Sequence, residues 1–159
     1  MPTIKPIGTK IFNEYSSAIN KCRKEIAAQV WFEGNWWLNV SFTGRGFIFQ
    51  LSKTSWHNHN GLGIHFEFWL EEKEFLSKTI PIVLHFEPDT PNRKALGQKF
   101  KAAIAEIEDE FSDYRINHDA ICDKLQKHEK FSKSGLPRLI IREFARLQSI
   151  GPIIDEILS

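Results

Sequence analysis

Cysteine is scarce in this 159-residue chain, which contains only Cys22 and Cys122. The two lie far apart and form no Cys-x-x-Cys pair, so the sequence offers no disulfide framework and indicates reduced core residues. Long apolar runs are missing as well. No segment approaches the roughly 18 uninterrupted apolar residues of a membrane-spanning helix, and residues 1–6 lack the apolar run of a secretory signal. We therefore expect a cytoplasmic protein that does not bind a membrane.

An excess of charge of either sign is lacking too. Lysine and arginine number 21 against 20 acids, a formal net charge of +1, so the whole molecule has no strong electrostatic preference for nucleic acid. The sequence also contains no glycine-rich phosphate loop, no Gly-x-Ser-x-Gly motif and no serine or cysteine nucleophile in a recognisable setting. No low-complexity tract divides the chain, and its length suits a single domain over residues 1–159.

The most informative feature that is present is a repeated tripeptide, His-Phe-Glu, at residues 65–67 and 85–87. Each copy lies in a run of alternating apolar and polar residues, which predicts two half-buried β-strands. The charged stretch 71–79 between them suits a hairpin connection, and antiparallel pairing would set His65 opposite His85. The four polar side chains brought onto one face would be His65, Glu67, His85 and Glu87.

The rest of the chain predicts an α+β fold. We expect a lead-in and first helix over 1–34, a four-stranded antiparallel β-meander over 35–89, and a C-terminal region of three to four helices over 90–159. Within the last region, the segment 117–134 is predicted to be helical because Ile121, Cys122 and Leu125 fall at helical spacing. Strands and helices thus occur in separate runs along the chain, which is typical of the α+β class.

The outward face of the predicted sheet can be interpreted in several ways. The residues expected on it are Trp37, Asn39, Ser41, Ile48, Gln50, His65, Glu67, Trp69, Val83, His85 and Glu87. Imidazoles and carboxylates together are ordinary ligands of zinc or a related divalent ion. Metal-free acid–base chemistry would use a glutamate as base and a histidine as acid, with a cation such as Arg45 nearby.

Two plainer interpretations of the same face remain open. Trp37 and Trp69 beside polar groups are typical of surfaces on which a ligand stacks. Alternatively, histidine and glutamate simply populate a solvated or helix-covered face and pair with each other, and we favour this interpretation. A second histidine pair, His57 and His59, is interpreted as part of a flexible polar loop.

Charge is distributed unevenly toward the C-terminus. Residues 104–119 contain six acids and one arginine, whereas residues 120–149 contain seven bases and three acids. Arg138, Arg142 and Arg146 are spaced to lie on one stripe of a helix that opens at Pro137. This stripe predicts either a phosphate-binding edge or a solvated face that pairs with the acids before it.

Two functions follow from these patterns. The first is a non-catalytic binding or accessory protein without metal or cofactor, which engages a protein partner or nucleic acid. Its binding residues would be Trp37, Trp69, Arg45, Arg138, Arg142 and Arg146. The alternative is a small hydrolase, a nuclease or phosphodiesterase, in which His65, Glu67, His85 and Glu87 are catalytic and hold one divalent metal ion. The sequence leaves the oligomeric state unknown.

Overall fold

The computed structural model describes residues 6–57, 63–117 and 123–159. The strands are β1 Trp36–Phe42, β2 Phe47–Lys53, β3 Ile64–Leu70, β4 Thr79–Phe86, β5 Arg115–Ile116 and β6 Asp123–Lys130. The helices are α1 Pro6–Ala27, α2 Glu72–Ser77, α3 Arg93–Ile104, α4 Leu136–Leu147 and α5 Gly151–Leu158. The predicted α+β class, with an N-terminal helix, an antiparallel sheet and C-terminal helices, is confirmed.

The described strands form one antiparallel sheet of six strands in the order β1-β2-β3-β4-β6-β5. One face of this sheet carries the apolar residues of the alternating strands and is covered by helices. Phe49 packs against Phe144 of α4 with ring centroids 5.4 Å apart, and Phe86 packs against Phe100 of α3 at 5.6 Å. Both Phe49 and Phe86 are fully buried. The apolar residues of the alternating strands therefore mark the face of the sheet that packs in the core.

The predicted meander of β1 to β4 is confirmed, although the connection between β3 and β4 is more ordered than expected. It contains the short helix α2, where the backbone N–H of Glu71 donates to the Glu74 carboxylate at 3.2 Å. Phe75 of α2 is buried against Tyr15 of α1. After α2 the chain turns through Lys78, which has a φ of 54°. Among the described residues, no helix is long and apolar enough to cross a membrane.

The prediction of four strands followed only by helices is wrong. The segment 117–134 contains β6, which pairs with β4 on one side and with β5 on the other. On the helix-covered side of β6, Lys127 and Glu129 occupy positions that would be apolar in an ordinary buried strand, so the alternation that marks a strand is absent. Ile121 and Cys122, on which the helical prediction rested, lie outside the described residues.

The first helix of the C-terminal region is short, and a second, tighter helical segment follows it. The helix α3 begins at Arg93, after Asn92 with a φ of 54°. A tighter 3₁₀ turn, Ala105–Phe111, then continues the chain. The first and the arginine-bearing helices form close to where periodicity predicts them, because each presents apolar residues at three- and four-residue spacing to the sheet.

Candidate metal centre on the sheet

The second face of the sheet, hereafter the polar face, carries the histidines and glutamates of the repeated His-Phe-Glu tripeptide. His65 of β3 is directly opposite His85 of β4, as predicted, and the two imidazole centroids are 5.4 Å apart. Glu67 follows two residues along β3 on the same face. Glu87 comes directly after β4, and its backbone N–H donates to the Gly63 carbonyl at 3.0 Å. Strand pairing thus brings together all four residues named from the sequence.

The Glu67 carboxylate lies between the two imidazoles. Its Oε2 atom is 3.0 Å from Nε2 of His65, and its Oε1 atom is 3.7 Å from Nε2 of His85. One ligand-type atom from each of these three residues can be chosen such that all lie within 4.8 Å of one another. Oε1 of Glu87 is 3.6 Å from Nε2 of His65. The four side chains therefore point at a common volume.

Hydrogen bonds from neighbouring strands fix the orientation of Glu67. Nε2 of Gln50, on β2, donates to Oε2 of Glu67 at 2.7 Å. Nδ2 of Asn39, on β1, donates in turn to Oε1 of Gln50 at 3.1 Å. Asn39, Gln50 and Glu67 are register partners across three strands. A chain of side-chain hydrogen bonds therefore runs along the polar face from the edge of the sheet to the cluster.

His85 is held from behind by a residue that the sequence did not single out. A register shift between Leu84 and His85 brings Asp123 of β6 opposite His85. Oδ1 of Asp123 lies 2.6 Å from Nδ1 of His85, although the two groups lack the alignment of a hydrogen bond. The ring of Trp69 stacks on His85 with centroids 6.2 Å apart. Because the segment around Asp123 was predicted to be helical, no sequence signal placed this carboxylate on the sheet.

The cluster is substantially withdrawn from water. His65 is fully buried, and the side chains of Glu67 and His85 are only 12% and 14% exposed. Burial alone would raise the pKa of Glu67, but hydrogen bonds from His65 and Gln50, together with the adjacent imidazoles, outweigh it and lower that pKa. Nδ1 of His65 is buried and has no hydrogen-bond partner among the described residues. The lowered pKa indicates a charged glutamate beside two imidazoles in a poorly solvated place.

The other residues predicted to bind a partner lie apart from this cluster. Trp37 is exposed on β1, and Arg45 is exposed in the turn between β1 and β2. Arg142 and Arg146 contact Glu143, a buried residue of α4 that the sequence analysis did not single out, at 2.9 and 3.1 Å. A carboxylate on the apolar side of a helix was the signal that could have revealed Glu143.

Glu143 is the centre of an ion-pair network on the helix-covered side of the sheet. It accepts hydrogen bonds from the Tyr114 hydroxyl at 2.8 Å and from Lys127 at 3.2 Å, besides its two arginine contacts. Asp113 extends the network, since it pairs with Lys127 at 2.7 Å and with Arg146 at 2.8 Å. Hence two of the three arginines of the predicted stripe bind acids of the protein itself.

The predicted polar loop around His57 is described only in part. Trp56 is fully buried, and its indole N–H donates to Oδ1 of Asp155 at 2.7 Å. His57 has a φ of 57°. His59 lies outside the described residues, so the structure does not describe the second histidine of that pair.

Comparison with known proteins identifies no relative. No protein-family model, curated protein or solved structure matches the chain. The geometry of the residues therefore carries the functional argument alone.

Proposed function

We propose that the protein is a hydrolase that depends on a divalent metal ion held by His65, Glu67 and His85. The observation that supports this proposal is the convergence of their ligand atoms within 4.8 Å on a largely buried patch of sheet. Around a tetrahedral ion with bonds of about 2.1 Å, ligand atoms are about 3.4 Å apart. Small side-chain adjustments would therefore close this set around an ion.

The surroundings of the ligands favour metal binding. Ligating histidines usually have a carboxylate or carbonyl behind the second ring nitrogen, which sets the tautomer and the ring orientation. Asp123 is in that position behind His85. Gln50 supports the Glu67 carboxylate in the same way. Two imidazoles and a carboxylate match zinc or a similar first-row ion better than magnesium or calcium, which prefer oxygen ligands.

If these three side chains held an ion, it would still have room for water, as in catalytic rather than structural zinc sites. Glu87 has a side chain that is 28% exposed, so it stands at the rim of the cluster, where it can accept a proton from that water. In hydrolysis of a phosphodiester, the water oxygen bonds to phosphorus and the bond from phosphorus to the leaving oxygen breaks. Glu87 would transfer one water proton to the leaving oxygen, and the other would stay on the product phosphate.

The phosphodiester is favoured as substrate because the ion would balance phosphate charge and a partly exposed indole flanks the site. Trp69 packs on His85 and could contact a nucleobase with its exposed portion. The competing proposal, a binding protein that uses the arginine stripe, has less support. Arg142 and Arg146 are committed to Glu143 and Asp113, which reduces what they can offer to an external phosphate.

Metal content and stability together test the proposal. We expect about one zinc or similar ion per chain after dialysis against that ion. A chelator should lower the melting temperature, because an ion that binds only the folded state stabilises it by about 2.7 kcal/mol at a hundredfold excess over Kd. Glu67→Gln and His85→Ala should remove both the ion and the chelator effect.

The control is His128→Ala, which removes an exposed histidine of β6 and should leave both results unchanged. Hydrolysis of bis(p-nitrophenyl) phosphate is then measured on the loaded protein. Loss of that activity in Glu87→Gln, with the ion still bound, is expected if Glu87 transfers the proton. A protein that takes up no ion would contradict the metal centre, whereas an ion without phosphodiesterase activity would contradict the hydrolase.

A further inference from the structure

Strand β1 has features of an interface rather than of a protected edge. Among the described strands it pairs only with β2, so no described strand adjoins its other side, hereafter the open edge. Its seven residues, Trp-Trp-Leu-Asn-Val-Ser-Phe, include no charge and no proline. Edge strands of monomeric proteins usually carry lysine, proline or a bulge that prevents pairing with another chain. None of these devices is present within β1.

The backbone groups available at this edge can be identified from two hydrogen bonds. The Thr43 N–H donates to the Gly46 carbonyl at 2.9 Å, and the Thr54 N–H donates to the Asn35 carbonyl at 3.3 Å. Both bonds fit the register of the β1–β2 ladder, in which bonded pairs recur at every second residue. The odd-numbered residues of β1 therefore bond to β2. The residues whose N–H and C=O groups point to the open edge are Trp36, Leu38, Val40 and Phe42.

We propose that β1 pairs with β1 of a second copy of this chain, antiparallel and about a two-fold axis at Asn39. In this register Trp36 bonds to Phe42 of the second copy, and Leu38 bonds to its Val40. Bonded pairs must join even-numbered residues of both strands. Only the register centred on Asn39 uses all four of them, since a shift by two residues leaves one of the four without a partner.

Aromatic side chains at the two ends of β1 also fit an antiparallel pairing of two copies. At one end of the strand, Trp31 packs edge-on against Phe32 and Trp36 with centroids 6.0 and 5.7 Å apart. At the other end, three phenylalanines pack together with centroids 5.0 to 5.9 Å apart; they are Phe12, Phe42 and Phe47. An antiparallel two-fold brings the tryptophan end of one copy onto the phenylalanine end of the other.

Exposed apolar side chains lie near both ends of β1, although Leu76 of α2 is also exposed. Phe12 is 44% exposed and Val30 is 86% exposed, whereas Phe49 and Phe68 on the inner strands are fully buried. A cleft of about 230 Å³ opens between α1 and β1 and is lined by Phe12, Val40 and Phe42 among others. It lies beside the position of Trp36 from the second copy. Burying these rings would supply the hydrophobic contribution that pairing of two strands alone lacks.

The proposed axis also adjoins the metal centre. Asn39 would face Asn39 of the second copy while it donates to Gln50, which donates to Glu67. The polar faces of the two copies would then form one continuous surface with a cluster on each side of the axis. This dimer does not depend on the proposed hydrolase activity, because it rests on the strand edge and its aromatic ends.

Sedimentation equilibrium of the full chain provides the first test. We expect a mass twice the 18.5 kDa of the chain. In the proposed register Trp37 faces Ser41 of the second copy, and like charges directly opposite each other weaken strand pairing. Trp37→Lys with Ser41→Lys should therefore weaken the dimer. Trp37→Lys with Ser41→Glu has opposite charges across the axis and should dimerise roughly tenfold more tightly than the first variant.

Cross-linking tests the position of the axis. Residues directly opposite in a non-bonded antiparallel pair have Cα atoms about 4.5 Å apart, within the range of a disulfide. In a Cys122→Ser background, Asn39→Cys should therefore link two copies under mild oxidation. Ser41→Cys is the matched control and should not link, because the two copies of residue 41 would be about 13 Å apart. A monomer, equal dimerisation of the two charge variants, or equal linking by both cysteines would overturn the proposal.

Discussion

The protein has two polar clusters, one on each side of its sheet, and each is centred on a glutamate. On the helix-covered side, Glu143 receives hydrogen bonds from Tyr114, Lys127 and two arginines. On the polar face, Glu67 receives a hydrogen bond from Gln50 and lies beside two imidazoles. In both places burial would raise the pKa of the glutamate, and in both the hydrogen bonds outweigh burial and lower it.

The partners distinguish the two glutamates. Arginine has no lone pair to offer a metal ion. Burial would lower the pKa of Lys127, but hydrogen bonds with Asp113 and Glu143 outweigh burial and raise that pKa, so Lys127 also keeps its proton. The Glu143 network is therefore composed of permanent cations and anions that neutralise each other. Imidazoles, in contrast, become nitrogen ligands when neutral. A glutamate among fixed cations has a structural role, whereas a glutamate among imidazoles can hold an ion.

The largest effect that separates the two clusters is expected from Glu143→Ala. This change leaves Lys127 and two arginines without their shared acceptor, and loss of one partner from a buried ion pair costs about 3–5 kcal/mol. Glu67→Ala should cost less in the metal-free protein, because the neighbours that it leaves behind are Gln50 and two imidazoles rather than lysine and arginine. Urea unfolding of both variants measures the difference.

Glu129→Ala is the matched control for Glu143→Ala. Glu129 pairs with the same Lys127 and Arg142 but is 31% exposed. Its loss should cost less than about 1 kcal/mol. A greater cost for Glu67→Ala than for Glu143→Ala would reverse the structural assignment of the two clusters.

The sequence predicts the polar face better than it predicts the Glu143 network, for a physical reason. Two alternating strands joined by the eight residues 71–78 bring His65 and His85 together through local pairing alone. The Glu143 network joins α4 to β6, and its members belong to distant segments. Because Lys127 occupies a core-facing position of β6, the strand loses the alternation by which it could be recognised. The ion pairs of Lys127 thus place a charged residue in β6, and this charged residue makes the strand hard to recognise from the sequence.

The pH dependence of stability should show a smaller effect of the Glu143 network. Hydrogen bonds from Arg146 hold the pKa of Asp113 well below its usual range despite partial burial, and the pKa of Glu143 is also lowered. Groups with a lowered folded pKa contribute stability that is complete above their unfolded pKa, about 4, and is lost as pH falls through the folded value. Wild-type stability should therefore fall on acidification below about pH 4.

Glu143→Gln should flatten this acid dependence while lowering stability at neutral pH, and urea midpoints measured across the acid range test it. Glu106→Gln changes an exposed acid of the 3₁₀ turn and is the control. An acid limb of equal steepness in Glu143→Gln and in the wild type would show that the network does not set the pH dependence.

The smallest effects are expected at the exposed end of the arginine stripe, and here the two functional hypotheses diverge. Arg146 donates to both carboxylate oxygens of Asp113 at 2.8 Å and to Glu143 at 3.1 Å. Arg142 is 53% exposed, with its closest acid contact to Glu143 at 2.9 Å. Arg138 is exposed and makes no ion pair with a described residue. Internal ion pairing therefore decreases, and exposure to solvent increases, from Arg146 through Arg142 to Arg138.

We expect the cost in stability to follow that gradient. Arg146→Ala should cost roughly 1.5–3 kcal/mol, as is usual for hydrogen bonds between charged groups. Arg142→Ala should cost less than about 1 kcal/mol, and Arg138→Ala should stay within about 0.5 kcal/mol of the wild type. Thermal unfolding of the three single variants measures the order. A triple alanine variant is unsuitable for binding studies, because it would remove structural ion pairs together with any binding residue.

Arg138→Ala is therefore the variant that tests nucleic-acid binding without disturbing the fold. If the stripe contacts duplex DNA, log K falls with log salt by about 0.9 for each phosphate contact, and the slope should flatten by that amount in the variant. We expect no such slope in fluorescence anisotropy with labelled duplex DNA, since Arg142 and Arg146 are neutralised by acids of the protein itself. A steep salt dependence that flattens in Arg138→Ala would instead favour the binding protein over the hydrolase. In that case the functional surface would lie beside the Glu143 network rather than at the Glu67 cluster, and the roles assigned to the two clusters would be reversed.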